Sequence, residues 1–160
     1  EVTRIANKVN DNMKAIAVLS ELATHPQTGG ICGTLGEDEM EVCAGQHGEG
    51  GGTVMKMASA KETAELLSDR IIEKLALTSG DEIILVVNGS GKTTLMEQYV
   101  SYRDASLYFE SKGIKVAAGH AGEVLTVQEA AGYQLMVVKA DAELLELWNA
   151  TCDSPAYTVV

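Results

Sequence analysis

At the centre of the sequence lies the stretch Ile83-Ile84-Leu85-Val86-Val87-Asn88-Gly89-Ser90-Gly91-Lys92-Thr93-Thr94, which decides the class of fold. Its first part is continuously apolar, as is typical of a strand that is buried on both faces of a sheet. The glycines and hydroxyl residues that follow favour a turn that opens a helix. A buried strand that leads directly into a helix indicates a layered domain of strands and helices.

The flanking segments continue this alternation. Ser59 and Glu62 form a capping box, which predicts that a helix begins there. Apolar residues at three- and four-residue spacing predict another helix from Thr3 to about Leu22. The remaining predicted elements are strands over residues 40–44, 114–118 and 133–138, a helix over residues 94–111, and a short helix from Asp141 to Trp148 followed by a tail. We therefore predict that residues 1–160 form one α/β (layered α+β) domain, with a mixed sheet of about four strands packed by helices.

Composition and charge restrict the class of partner. The chain has 160 residues, of which 46% are apolar and 22% charged, and its net charge is −11. This charge argues against nucleic acid and anionic membrane as partners, because both attract basic surfaces. No apolar run approaches the roughly 18 residues that span a bilayer. The odd, irregularly spaced cysteines (Cys32, Cys43 and Cys152) favour reduced thiols and a cytoplasmic location.

The turn from Asn88 to Thr94 has features of a phosphate-binding loop, since Gly91-Lys92-Thr93 supplies the usual ending. Such a loop needs a further glycine five residues before Gly91, and that position is Val86, inside the predicted strand. The turn is too short to encircle a triphosphate, so an ordinary strand-to-helix turn is the better interpretation. A single anion held by the helix start and Lys92 stays open as an alternative.

His47 is the strongest candidate for chemistry. It follows the predicted strand at 40–44, has Gly48 after it, and has Glu49 two residues further on. Imidazole acts as a nucleophile or an acid–base group near neutral pH, and a neighbouring glycine leaves room for a substrate. Glu49 is suited to orient the ring or to hold a substrate hydroxyl. No serine, cysteine or aspartate at a recognisable spacing completes a catalytic triad.

The other candidate residues have simpler interpretations. His25 is predicted to lie in a loop, and His120 in a solvated loop after a strand, with a site at the strand end as the alternative. The acidic run from Glu37 to Glu41 is interpreted as a solvated turn, with a divalent-cation site as the alternative. The cysteines and histidines lack the spacing of zinc ligands, so no metal site is predicted.

Several motifs occur in order along nearly the whole chain. They are Leu35-Gly36-Glu37-Asp38-Glu39-Met40-Glu41, Gly45-Gln46-His47-Gly48-Glu49, Gly80-Asp81, Val87-Asn88-Gly89-Ser90-Gly91 with Leu95-Met96-Glu97, and Asp153-Ser154-Pro155-Ala156. Together they resemble the second half of the substrate-binding (K) subunit of the dihydroxyacetone kinases. The sequence departs from the family pattern at Gln46, Gly50 and Lys92-Thr93-Thr94. Such departures are expected of a divergent paralogue that binds a ketose.

The resemblance implies a specific role for the histidine. In this family the histidine at the His47 position binds the ketone substrate covalently, as a hemiaminal on its distal ring nitrogen. His47 is therefore expected to be the catalytic anchor, with His47, Gly48 and Glu49 as substrate-binding residues. The expected substrate is dihydroxyacetone, an intermediate of glycerol metabolism, or a similar short ketose.

The resemblance also implies what the chain works with. The phosphoryl donor, ATP or a phosphotransferase-system-derived group, would be carried by a separate nucleotide-carrying kinase subunit or domain, so no cofactor is expected on this chain. The family's first domain, which supplies the acid–base groups, is absent from these 160 residues. The chain is thus expected to be a component of a phosphotransferase, inactive alone, and a homo-oligomer. The alternative is a non-catalytic ketose-sensing or coactivator paralogue of the same fold.

Overall fold

The computed structural model describes residues 1–45, 51–155 and 157–159. The helices are α1 (Val2–Asp11), α2 (Ala60–Leu75), α3 (Leu95–Ser111) and α4 (Ala142–Trp148). The strands are β1 (Met13–Glu21), β2 (Glu39–Val42), β3 (Thr53–Lys56), β4 (Glu82–Gly89), β5 (Lys115–Gly122), β6 (Ala131–Ala140), β7 (Cys152–Asp153) and β8 (Thr158–Val159). Six strands form one mixed sheet in the order β3-β2-β1-β6-β4-β5, and β7 pairs with β8. The predicted fold class is confirmed, with six strands in the main sheet instead of about four.

The predicted central strand is β4, which pairs in parallel with β5 and antiparallel with β6. Ile83, Leu85 and Val87 on one of its faces are completely buried. They belong to one apolar core with residues of α2 and α3, including Phe109. The helices begin where predicted, because Ser59 and Thr94 both cap their helices through complete capping boxes.

The prediction of one helix from Thr3 to Leu22 is wrong beyond Asp11. There α1 ends, and β1 enters the sheet between β2 and β6. Ile16 and Val18 face the core under α2 and α3, while Ala17 and Leu19 pack into a second apolar cluster. A strand that is apolar on both faces contains apolar residues at every spacing, including helical spacing. Periodicity alone therefore could not separate the short helix from the strand after it.

Short strands were the other elements that the sequence did not predict. β3 pairs with β2 to form a hairpin at the edge of the sheet. The predicted tail contains the hairpin of β7 and β8, in which the Ser154 hydroxyl accepts a hydrogen bond from the Tyr157 N–H at 3.0 Å. The strands of two residues are too short for alternation to be recognised.

The two faces of the main sheet pack against different parts of the chain. The helix face carries α2 and α3, and includes Met40 and Val42 of β2. The opposite face includes Leu19 and its partner in the register, Glu41. After β2 ends at Val42 the chain moves onto the opposite face, where Ala44 packs in the second apolar cluster.

Asp81, in the turn before β4, provides a test of this architecture. Its carboxylate accepts hydrogen bonds from the Lys139 ammonium at 2.9 Å and from the Thr78 N–H at 2.7 Å. These contacts hold the pKa of Asp81 below its ordinary value, and the contact with Lys139 has the largest effect. Because the pKa is lower in the folded than in the unfolded state, the stabilisation is present above the unfolded pKa of about 3.9 and is lost as the pH falls through the folded value.

We expect Asp81→Asn to reduce the free energy of unfolding at pH 7 by about 1 kcal/mol, and the difference from the wild type to shrink below about pH 4. Urea denaturation at pH 7 and at pH 3 measures both values. Asp38→Asn is the matched control, since that aspartate is exposed. An equal loss of stability at the two pH values would contradict the assignment.

Candidate functional site

The hairpin of β2 and β3 carries the predicted site. Glu39 lies opposite Lys56 and Val42 opposite Thr53, and residues 43–52 connect the two strands. The predicted site residues His47, Gly48 and Glu49 belong to this connection and lie outside the described residues. Their roles stay predictions, and the structure describes the two ends of the segment that contains them.

The returning end of this segment is held by Glu41, which is only 4% exposed. Its Oε1 accepts hydrogen bonds from the N–H of Gly51 at 2.8 Å and from the N–H of Gly52 at 2.7 Å. A buried carboxylate is costly unless it is hydrogen-bonded, and a bond to an ionised group is stronger than a neutral one. Glu41 therefore fixes the returning chain onto β2, and the prediction of a solvated position for this residue is wrong.

A close crossing of the backbone reinforces this attachment. A Cβ atom on Gly52 would lie 2.4 Å from the carbonyl oxygen of Val42 and 2.9 Å from the nitrogen of Ala44, so a glycine is required there. Cys43 adopts a left-handed conformation with φ of 66°. Its N–H nevertheless donates to the carbonyl of Ala17 at 2.8 Å, which holds it to β1. The residues on both sides of the segment 46–50 are thus fixed against the sheet.

The glycine-rich turn after β4 has a different geometry from a phosphate site. The N–H groups of Ser90 and Lys92 donate to the carbonyls of Gly132 and Ala130, each at 3.1 Å, and the Thr94 N–H donates to Glu97 at 2.8 Å. The Lys92 ammonium forms an ion pair with Glu21. A phosphate-binding loop presents such donors to the ligand. These donors are occupied within the protein, which supports the interpretation as a strand-to-helix turn.

The same turn supports the hairpin indirectly. The Asn88 side chain is 99% buried, and its Oδ1 accepts hydrogen bonds from the N–H groups of Val124 and Leu125 at 2.8 Å. The segment that follows places Val127 and Ala130 in the cluster that contains Ala44. The sequence did not predict this connection, although an asparagine at the end of a buried strand was a signal of a fixed loop.

The remaining candidates are explained by local contacts. The Nδ1 of His25 accepts hydrogen bonds from the backbone of Gln27 and Thr28 at 3.3 and 3.4 Å, which places it in a turn as predicted. His120 lies within β5, not in the predicted loop after a strand, and its ring meets that of Tyr157 edge-on at a centroid distance of 5.5 Å. Glu39 accepts a hydrogen bond from the Gly36 N–H at 2.9 Å.

No group of three or more histidine, cysteine, aspartate or glutamate side chains in residues 1–45, 51–155 and 157–159 has an arrangement that could hold a metal ion. None of the helices in this part of the chain is long and apolar enough to cross a membrane.

The fold and the hairpin define a class of domain: a layered α/β domain with a fixed, glycine-containing hairpin at one edge of a mixed sheet. The chain matches the model of the Dak1 domain over residues 1–156, and it belongs to that family. The resemblance of the sequence motifs to the dihydroxyacetone-binding subunits is thereby confirmed.

Individual relatives share this domain. The chain is 31% identical over 158 residues to the dihydroxyacetone-binding subunit DhaK of the PTS-dependent dihydroxyacetone kinase 2 of Listeria innocua, covering 99% of this chain and 48% of that protein. It is 31% identical over 160 residues to the L-erythrulose kinase of Pectobacterium atrosepticum, covering 98% of this chain and 27% of the relative. The chain therefore spans about half the length, or less, of the curated relatives that it matches.

Solved structures show the same fold. The dihydroxyacetone kinase operon co-activator Dha-DhaQ is similar with a TM-score of 0.87 and 25% identity, over 94% of this chain and 47% of the co-activator chain. The native dihydroxyacetone kinase of C. freundii is similar with a TM-score of 0.82 over 99% of this chain and 29% of the kinase chain. At 16% identity, the second likeness concerns the fold alone.

Proposed function

We propose that this chain is the part of a short-ketose kinase that binds the carbonyl substrate, with dihydroxyacetone as that substrate and His47 as its covalent anchor. The observation that carries the proposal is the match over residues 1–156 to the Dak1 domain, whose relatives include dihydroxyacetone-binding subunits at 31% and 34% identity. The erythrulose kinases among the relatives extend the substrate class to other short ketoses.

The proposed chemistry uses only the histidine and the ketone. The lone pair of the distal imidazole nitrogen adds to the carbonyl carbon, and the carbonyl π electrons move to oxygen. The imidazolium then loses the proton of its other ring nitrogen while the oxygen gains a proton, which leaves a neutral hemiaminal. No water is released. The reaction selects ketones over polyols because a polyol has no carbonyl carbon to attack, and it holds a substrate too small to supply many contacts.

The fixed hairpin supports this role. A nucleophile is effective when it is held near the reacting carbon in a productive orientation. Glu41 and Gly52 attach the ends of the segment 46–50 to the sheet. In the proposal, this attachment limits the freedom of His47 before the substrate arrives. Phosphoryl transfer to a hydroxyl of the bound ketose then requires a partner subunit or domain that carries the donor.

A ketose-sensing coactivator is the second candidate function. It is favoured by one observation, the similarity to the co-activator Dha-DhaQ at 25% identity over 94% of this chain. Such a protein would share the fold and the binding of the ketose, and would lack phosphoryl transfer. Covalent binding alone therefore does not separate the two functions.

The test begins with dihydroxyacetone labelled with ¹³C at its carbonyl carbon. We expect the protein, combined with the first half of a relative's subunit, to convert the carbonyl resonance to that of a tetrahedral carbon. Intact mass should rise by one whole ketose. Glycerol is the control, since it lacks a carbonyl. Absence of an adduct in the complete assembly would contradict both functions. Phosphoryl transfer on adding the donor-carrying subunit of a relative would then identify a kinase, and an adduct without transfer would identify a sensor.

A further inference from the structure

The main sheet has a free edge along the first half of β1. This strand pairs with β6 along its length, but it pairs with β2 only at Val18 and Leu19. Beyond them, the Cys43 N–H still donates to the Ala17 carbonyl at 2.8 Å. Cys43 has a φ of 66°, and β2 has already ended there. Among the described residues, none pairs with residues 13–16 on the side of β2.

The register shows which backbone groups this edge presents. In an antiparallel pair, the N–H and C=O groups of one residue point to the same side, and successive residues alternate. The Asn12 carbonyl accepts from the Lys139 N–H of β6 at 2.9 Å, whereas the Ala17 carbonyl faces β2. Met13 and Ala15 therefore point their N–H and C=O groups away from β6. A row of such unpaired groups is a template for a further strand.

A groove of about 490 Å³ lies along this edge, beside the last turns of α2. Its lining includes three basic residues, Lys14, Arg70 and Lys74, and one acidic residue, Glu73. Within the described part of the chain these three cations form no ion pair, whereas most of the other basic side chains do. The Arg70 guanidinium donates to the Cys43 sulfur at 3.2 Å, a weak acceptor. Unpaired cations gathered in one groove favour a ligand with negative charge.

The two faces of the sheet at this edge accept different side chains. Ile16 packs against the apolar core on the helix face, so Lys14, two residues earlier, lies on the same face as the basic residues of α2. Ala15 points to the opposite face and is exposed. A strand added to this edge would place alternate side chains among the cations and the others beside the Ala15 methyl group. Alternation of acidic and apolar residues suits both faces.

Charge also determines which strand fits. Two copies of this chain paired through β1 would bring two identical basic clusters together, which is unfavourable. We propose that the edge formed by residues 13–16 binds an extended acidic segment of a partner protein, which joins the sheet as a further strand. Its carboxylates would lie at Lys14, Arg70 and Lys74. Backbone hydrogen bonds provide the affinity in this kind of recognition, and the side-chain sites select the sequence.

The probe for this proposal is the peptide acetyl-Ser-Val-Glu-Val-Glu-Val-Ser-amide, carrying a fluorophore for anisotropy. We expect saturable binding that weakens as the salt concentration rises. One matched peptide has N-methylated valines and a second has N-methylated glutamates. Only one set of N–H groups faces β1, so one of the two peptides should lose binding while the other retains it. Loss with the valines indicates an antiparallel strand, and loss with the glutamates a parallel strand.

Variants of the protein locate the site. Ala15→Pro removes an N–H that faces the free edge and leaves the bonds to β6 in place, so the fold should persist, as circular dichroism can check, while peptide binding falls about tenfold or more. The double variant Lys14→Glu with Lys74→Glu should lose the acidic peptide to a similar extent and gain binding of a peptide with lysines in place of the glutamates. Lys61→Glu with Lys112→Glu is the matched control, since both lysines are exposed and lie outside the groove.

Three results would overturn the proposal. The first is the absence of saturable binding to the wild type. The second is equal binding of the unmodified peptide and both N-methylated peptides, which would mean that the cations hold a carboxylate without strand addition. The third is equal binding by the wild type and the double variant of Lys14 and Lys74, which would place the peptide elsewhere. The measurement contains no ketose, so its outcome does not depend on the proposed kinase function.

Discussion

Replacing His47 by alanine is expected to abolish the adduct with dihydroxyacetone and to lower phosphoryl transfer in the complete assembly by about a hundredfold or more. The imidazole would be the only group that bonds to the ketone, so the variant should retain no tetrahedral ¹³C resonance at any ketose concentration. The Michaelis constant should rise as well, since a substrate as small as dihydroxyacetone has few other contacts to hold it.

The control for this variant is His25→Asn. His25 is an exposed histidine whose Nδ1 accepts hydrogen bonds within a turn, and asparagine retains an acceptor there. It should form the adduct as the wild type does. An adduct that persists in His47→Ala would contradict the assignment. Its mass would then indicate the true nucleophile, because a lysine imine forms with loss of one water and a hemiaminal keeps it.

The elements that the sequence predicted well are those with local signals. Ser59 with Glu62, and Thr94 with Glu97, mark helix starts through contacts within four residues, and both boxes are present. β4 was recognisable because both of its faces are apolar over a long enough run. β1 is buried only over residues 17–19, and it follows α1 directly at Asn12. Its pairing with β2, and with β6 far away in the sequence, distinguishes it from a continued helix.

The candidate site shows the same difference between features set by neighbouring residues and features set by residues distant in the sequence. The motif around His47 was recognisable from the sequence, since it consists of neighbouring residues. Glu41 was not, because it stands in an acidic run whose members Glu37 and Asp38 are exposed. Its burial depends on Leu19 beside it in the sheet and on the chain that returns at Gly52. Alternation along β2 places the Glu41 side chain on the other face of the sheet from Met40 and Val42. It does not tell whether that other face is covered by further residues.

The contacts of the glycine-rich turn after β4 give that turn a structural role. Gly91 allows the segment after β5 to approach it, since a Cβ there would lie 1.6 Å from the carbonyl oxygen of Gln128. That segment carries Val127, which packs in the same cluster as Ala44. The turn that resembles a phosphate-binding loop therefore positions residues that pack under the hairpin. Changes in this turn should affect the hairpin even though the two are remote in sequence.

Glu41→Ala should weaken adduct formation about tenfold or more although His47 is retained. The variant removes the hydrogen bonds of the Gly51 and Gly52 N–H groups to the carboxylate, and each such bond contributes about 0.5–1.5 kcal/mol. The segment that contains His47 would then lose its attachment, and only a fraction of the molecules would hold the imidazole in a productive position. Glu41→Gln, which keeps an acceptor oxygen, should give an intermediate effect. Glu37→Ala is the matched control at an exposed position.

Gly52→Ala tests the same attachment through sterics instead of hydrogen bonding. The added methyl would meet the Val42 carbonyl at 2.4 Å, so the strands must separate, whereas in the control Gly30→Ala it would meet nothing closer than 3.5 Å. The equilibrium constant for the adduct, measured by ¹³C NMR, should fall in Gly52→Ala and stay constant in Gly30→Ala. Urea denaturation shows whether global unfolding, and not a local change at the hairpin, lowers the equilibrium constant for the adduct. Wild-type adduct formation in both Glu41→Ala and Gly52→Ala would show that the attachment of the hairpin does not position the nucleophile.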